Sequence, residues 1–144
     1  MVDIDIRLAG EQELLVLYEV DHIARDDSSR RFFIADAVLT RRTWTIKVSK
    51  EIVGYGIISH EFFGRSFLDL IYIDQNQRSK GYGSELISFL ETQSKSEDLF
   101  TSTNESNSHM QQVLEKLGYE SSGIIYNLDS GDPEIVYVKK DVLT

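Results

Sequence analysis

The chain of 144 residues contains no cysteine. It therefore has no disulfide framework, no thiolate metal ligand and no cysteine nucleophile. Nor does it contain an apolar run long enough to span a bilayer. Its opening, Met1-Val2-Asp3-Ile4-Asp5-Ile6-Arg7, lacks the basic-then-apolar layout of a signal peptide. Repeats, low-complexity tracts and linker-like stretches are missing too, so one domain is expected over 1–144. Positive charge is scarce: 15 Lys and Arg face 24 Asp and Glu, for a formal net charge of −9. That balance repels a polynucleotide backbone and suits a cationic amine better. The expectation is a cytoplasmic protein with neither nucleic acid nor membrane as partner. Hydrophobic residues at 41% and charged residues at 27% are the proportions of a folded chain rather than a disordered one.

What is present is organised around Ile71-Tyr72-Ile73-Asp74-Gln75-Asn76-Gln77-Arg78-Ser79-Lys80-Gly81-Tyr82-Gly83-Ser84. An apolar strand, Phe67 to Ile73, runs into a polar corner and then into an amphipathic helix reaching about Ser94, with Leu86, Ile87 and Leu90 at helical spacing. A glycine-bearing corner that feeds a helix is a phosphate-binding design. The first helical N–H groups lack intrahelical partners, the dipole is positive there, and glycine lets an anion approach the backbone. A P-loop would need Gly-x-x-x-x-Gly-Lys-Ser/Thr, which is absent. A dinucleotide fingerprint would need a third glycine where Leu86 stands. The pattern present is Arg78-x-x-Gly81-x-Gly83. On spacing alone, a tight strand-to-helix turn without a ligand is the alternative.

Elsewhere, Val2 to Leu8 alternates as a half-buried strand and Gly10 ends it. Glu11 to Ala24 reads as one helix with Leu14, Leu17 and Tyr18 on a common face. Asp26-Asp27-Ser28-Ser29 interrupts it, and a second helix is expected from about Arg30 to Leu39, burying Phe33, Ala37 and the neighbouring apolar positions. Thr43 to Val48 and Ile52 to Phe63 form a hairpin around Ser49-Lys50-Glu51, and Gly64-Arg65-Ser66 makes the next turn. Gly54 and Gly56 lie in phase on one strand face, so a packed neighbour or a ligand comes close there. Leu99 to Thr103 is a strand ending in Asn104-Glu105-Ser106-Asn107. A helix carrying Met110, Val113, Leu114 and Leu117 stops at Gly118. Tyr119 to Leu128 and Glu134 to Lys139 are the last strand pair, and the acidic cluster Asp129, Asp132 and Glu134 is most simply a solvated turn, with attraction of a cationic substrate from the rim as the alternative.

The glycine corner resembles the Gln/Arg-x-x-Gly-x-Gly/Ala signature of the GNAT N-acetyltransferases. Asn107-x-x-Met110, Leu114 and Leu117-Gly118-Tyr119 are similar to that family's Asn-x-x-Ala-x-x-x-Tyr-x-x-x-Gly-Phe segment. With the element order, the likeness covers most of the chain. It implies an α/β GNAT fold: a mixed central sheet of about six or seven strands, flanked by about four helices, with a splay between the two central strands. It also implies acetyl-CoA as cosubstrate. Backbone N–H groups from Arg78, Ser79, Lys80, Gly81, Tyr82, Gly83 and Ser84 would hold its pyrophosphate, with Arg78 and Lys80 as countercharge. The backbone of Ile71, Tyr72 and Ile73 would pair with the pantetheine arm like an added strand, and Asn104 and Asn107 would be its side-chain partners. The implied chemistry is direct acetyl transfer to an amine of a small molecule or protein. Members are often dimers, so a homodimer belongs to the expectation.

One position departs from the family pattern: Leu114 stands where a tyrosine usually protonates the leaving thiolate. Tyr126 is a replacement candidate, with a buried structural tyrosine as its alternative. The departure also supports a second reading, an acyl-CoA sensor or catalytically weak homologue; a third is an interaction domain using its sheet edge. Glu61 and Asp69 are the carboxylates best placed near the strand splay to act as base, with a partnered or edge-exposed acid as the alternative for each. Asp69 shares a strand face with Phe67, Ile71 and Ile73, a setting that favours a raised pKa. His22, His60 and His109 have no second ligand at metal spacing, so no metal is expected.

Overall fold

Alternating apolar residues near the start form β1 (Ile4–Leu8), which pairs antiparallel with β2 (Thr43–Val48) from Ile4↔Val48 to Leu8↔Trp44. The computed structural model describes residues 2–144. β2 passes into β3 (Glu51–Phe62) through Ser49 and Lys50, whose φ angles of 51° and 72° are both left-handed. Two successive left-handed residues give a hairpin turn whose twist matches its strands. The same device, Phe63 at 50° and Gly64 at 78°, leads into β4 (Arg65–Ile73). That turn lies one residue earlier than expected, and β4 accordingly starts before Phe67.

The remaining elements are α4 (Tyr82–Glu91), β5 (Leu99–Asn104), α5 (Ser108–Lys116), β6 (Glu120–Ile125) and β7 (Glu134–Lys139), with three helices between β1 and β2: α1 (Leu14–Val20), α2 (His22–Asp26) and α3 (Ser28–Leu39). The seven strands form one mixed sheet in the order β1-β2-β3-β4-β5-β7-β6. Only β4 and β5 run parallel among the described pairs. Their ladder holds three pairs, Ser66↔Leu99 to Leu68↔Thr101, although β4 continues to Ile73 and β5 to Asn104.

The chain divides into two compact units, and β3 and β4 contribute to both. The first takes in the chain up to Ile58 together with Leu70–Phe89. Its core is built from Leu17, Ala24, Ile34, Ala37 and Val38 of the helices and Tyr55, Ile57 and Tyr72 of the strands. The second unit comprises Ser59–Asp69 and Leu90–Thr144. There β7 pairs antiparallel with β5 from Leu99↔Lys139 to Asn104↔Glu134, and with β6 on its other side. Leu68, Leu99, Leu114, Tyr119 and Val138 are buried in it.

Two helical expectations need correction. The helix foreseen over Glu11–Ala24 is broken at Asp21, which leaves the helical region at φ −89°, ψ 103°. Its carboxylate then caps α2, accepting from the N–H groups of Ile23 at 2.9 Å and Ala24 at 3.3 Å. In α3, Ile34, Ala37 and Val38 are buried while Phe33 is 42% exposed. Ala37 and its apolar neighbours Ile34 and Val38 are thus buried as expected, and Phe33 turns out of the buried stripe.

Candidate active site

The glycine corner belongs to the first unit. Asp74 opens it, its side chain accepting from Asn76 N–H at 3.0 Å, and a short 3-10 turn follows at Gln75–Gln77. Ser79 and Gly81 both take left-handed backbone, at φ 64° and 85°. Space around an added Cβ at Gly81 is open, so it is the backbone angle rather than crowding that selects glycine there. α4 begins at the next residue, and Glu85 N–H closes its first turn onto the Gly81 carbonyl at 3.1 Å. The N–H groups of Tyr82, Gly83 and Ser84 thus stand in a first helical turn, where the backbone has no carbonyl partner to offer them. From Gln75 to Ser84 the chain carries two cations and no carboxylate, within a protein of net charge −9. Such a donor set suits an anion.

Of those cations, Arg78 has its Nε on the Ile73 carbonyl at 2.8 Å, with its guanidinium 5.1 Å from the Tyr72 ring centroid. Lys80 Nζ donates to Gln77 Oε1 at 3.0 Å. The side chains of Tyr72, Ile73 and Tyr82 are buried. Gly54 packs against this strand end: an added Cβ would collide with the Tyr72 carbonyl and lie 2.7 Å from Ile73 Cδ1. A packed neighbour, not a ligand, accounts for the glycine at that position.

Tyr72 also engages the first unit through its side chain. Its hydroxyl accepts from the His22 N–H at 3.1 Å and meets His22 Nδ1, and its ring stacks on Tyr55 with centroids 6.1 Å apart. Tyr55 donates in turn to Asp21 Oδ2, which also accepts from Arg30 Nε at 2.8 Å. Asp21 is fully buried. Burial works to raise its carboxyl pKa, but the bonds from Tyr55 and Arg30 and the Arg30 charge outweigh it, and the net direction is down. The Tyr55 hydroxyl is pushed up, first by burial and then by its bond to Asp21. Partners this far apart in the chain leave no local signal that could have found them.

The second unit holds the other expected residues. Asn104 Nδ2 donates to Asp129 Oδ2 at 3.0 Å and to the Asp132 carbonyl at 3.3 Å. Asn107 caps α5, accepting from Met110 N–H at 3.1 Å. Leu114 is buried on that helix. Tyr126 follows β6 and is 64% exposed, so the alternative of a buried structural tyrosine does not hold. Asp132 is more than a solvated turn residue: it accepts from the Ser106 N–H at 3.0 Å and the Ser106 hydroxyl at 2.6 Å.

Glu61 and Asp69 line one cavity of about 400 Å³ in this unit, a volume suited to a small ligand. Phe62, Phe67, Ile125, Leu128 and Val136 give it apolar walls. The two phenyl rings lie 4.6 Å apart by their centroids. Ser59 Oγ donates to Asp69 Oδ1 at 2.9 Å. A third carboxylate, Glu134, also lines the cavity and accepts from Ser102 Oγ at 2.8 Å. Glu134 is thus more than a member of a solvated acidic turn: it is paired opposite Asn104 in the β5–β7 register and lines this wall. Another hollow of about 360 Å³ is formed by the Tyr126–Pro133 turn alone.

A family model described as Acetyltransferase (GNAT) family matches residues 11–119. A GNAT-family acetyltransferase structure from Bacillus cereus is 34% identical, with 96% of this chain and 98% of that one covered and a TM-score of 0.89. The ribosomal-protein-S18-alanine N-acetyltransferase of Escherichia coli is 16% identical, with coverages of 96% and 94% and a TM-score of 0.80. The structure of yncA from Salmonella typhimurium with its cofactor acetyl-CoA is 14% identical, with coverages of 96% and 94% and a TM-score of 0.75. No curated protein matches the chain.

Proposed function

Because this chain belongs to the GNAT acetyltransferase family, we propose that it transfers the acetyl group of acetyl-CoA directly to a primary amine. The observation that carries the cofactor assignment is the corner itself. Left-handed Ser79 and Gly81 lead into the first turn of α4, in a segment without a carboxylate. N–H groups from Arg78 to Ser84 hold the pyrophosphate, and Arg78 and Lys80 add positive charge. Ile71, Tyr72 and Ile73 offer backbone to the pantetheine arm; these residues lie beyond Leu68, the last β4 residue in the β5 ladder. Asn104 and Asn107 are its proposed polar partners, although the amide of the first and the carbonyl of the second already serve the protein.

In the reaction, the nitrogen of a neutral amine attacks the thioester carbonyl. A C–N bond forms, the C–S bond breaks, the amine proton passes to a base, and sulfur leaves with the electron pair and takes a proton. Glu61 or Asp69 is the proposed base and Tyr126 the proposed acid. An N–H near Ile73 stabilises the oxyanion. The reading takes the chain as one acetyltransferase domain acting in the cytoplasm on a small-molecule or protein amine. The net charge of −9 supports excluding a polynucleotide.

Leu114 supports a second reading, an acyl-CoA sensor, since a buried leucine cannot protonate a thiolate. Following free thiol release from acetyl-CoA across a broad amine panel separates the two. Transfer requires an amine-dependent rate well above hydrolysis. Cofactor binding without transfer to any amine would favour the sensor.

A further inference from the structure

The peptide that leads from β4 into the glycine corner has a fixed orientation. Asp74 N–H donates to the Val53 carbonyl of β3 at 2.8 Å. In a trans peptide the carbonyl points opposite to the N–H, so the Ile73 carbonyl is aimed away from β3. That is the side on which an arm lying along β4 like an added strand must find its acceptors. The place is taken. Arg78 puts its Nε on that carbonyl at 2.8 Å and its guanidinium 5.1 Å from the Tyr72 ring centroid. Tyr72 is buried and tied to His22, so its ring is a fixed surface, whereas Arg78 is exposed. All of these residues belong to the first unit. Both partners of the guanidinium are uncharged, and a phosphate oxygen binds it more strongly than either.

We propose that Arg78 selects the class of acyl donor: it covers the acceptor that the pantetheine arm needs, and a pyrophosphate draws it away. The inference rests on the acetyl-CoA reading and adds a restriction to it. A CoA thioester brings both parts, the phosphates that attract Arg78 and the arm that takes its place on Ile73. A pantetheine thioester without a pyrophosphate brings the arm alone, and it must break the Arg78–Ile73 bond with nothing to replace it. The two halves of the cofactor therefore favour each other's binding, equally in both directions. Arg78 is a specificity residue in this role, acting on the donor rather than on the acceptor amine.

The test divides the cofactor. S-acetylpantetheine is titrated by calorimetry into wild type alone and into wild type with saturating ADP, which supplies the pyrophosphate without the arm. ADP should tighten S-acetylpantetheine binding about threefold to tenfold, the scale of one hydrogen bond. In Arg78→Ala the two donors should move in opposite directions. Acetyl-CoA weakens about tenfold, having lost a cation beside its phosphates, while S-acetylpantetheine tightens about threefold and no longer responds to ADP. A merely supporting role for Arg78 weakens both. S-acetylpantetheine binding that is indifferent to ADP in wild type would overturn the proposal. So would a folded Arg78→Ala protein that binds both donors less well, or S-acetylpantetheine that binds under none of these conditions. Failure of acetyl-CoA to bind wild type would instead remove the underlying reading. Acetyl-CoA binding without coupling between ADP and S-acetylpantetheine removes this inference alone.

Discussion

Replacing Asp21 by alanine tests how the first unit is held together. The carboxylate is fully buried and joins four groups: Arg30 Nε at 2.8 Å, the Tyr55 hydroxyl, and the N–H groups of Ile23 and Ala24. Truncation orphans all four and removes the cap of α2. Breaking a buried ion pair from one side costs about 3–5 kcal/mol, much of it the penalty of leaving the partner charge uncompensated. Arg30 keeps 21% of its side-chain surface in water, which places the expected cost toward the lower end. For a chain of this size that corresponds to a fall in Tm of about 10–15 °C. Tyr55→Phe removes one hydrogen bond to a charged group and should cost less, about 1–3 kcal/mol. The pH dependence has a definite sign. The folded carboxyl lies below its ordinary value of 3.8, so its contribution is complete above that pH and is lost as pH falls through the lowered folded value. The stability gap between wild type and Asp21→Asn, followed by thermal unfolding with circular dichroism, should therefore be constant near neutrality and close in acid. An alanine variant within about 1 kcal/mol of wild type would refute the reasoning, because no buried ion pair could then be contributing.

Other consequences can be checked separately. Gly54→Ala should destabilise by about 1–3 kcal/mol in urea unfolding, since its Cβ meets the Tyr72 backbone. Whichever of Glu61 and Asp69 is the base, its amide variant should lower kcat by about 10² to 10⁴ and lose the acidic limb of the pH–rate profile, with acetyl-CoA affinity preserved. If neither variant moves kcat tenfold, both lose the role. Tyr126→Phe should lower kcat about tenfold or more at the thiol-leaving step. An unchanged rate would return that proton to solvent.

Features with local causes were legible in the sequence. Alternation gave β1, the 3.6-residue recurrence of Leu86, Ile87 and Leu90 gave α4, and Gly118 marked the end of α5. The left-handed angle at Gly81 follows from the residue type most able to adopt it. Features set by distant partners were not legible. Asp21 breaks a helix that its own neighbours would continue, because Arg30 and Tyr55 lie nine and 34 residues further along. Glu134 looked like part of an acidic turn until strand register brought it beside Ser102. In α3 the outward turn of Phe33 was not legible, because Phe33 and Ile34 are both apolar neighbours and only packing chooses which is buried.

The central claim is that the corner between β4 and α4 binds the pyrophosphate of acetyl-CoA. Its most direct test is a calorimetric titration of acetyl-CoA into wild type and Gly81→Glu, with adenosine as the control lacking phosphate. Glutamate at this position puts a side chain on left-handed backbone and a negative charge where the pyrophosphate is expected. The account predicts binding by wild type, little for adenosine, and none by a Gly81→Glu protein whose circular dichroism is unchanged. Undiminished acetyl-CoA affinity in that variant would contradict it.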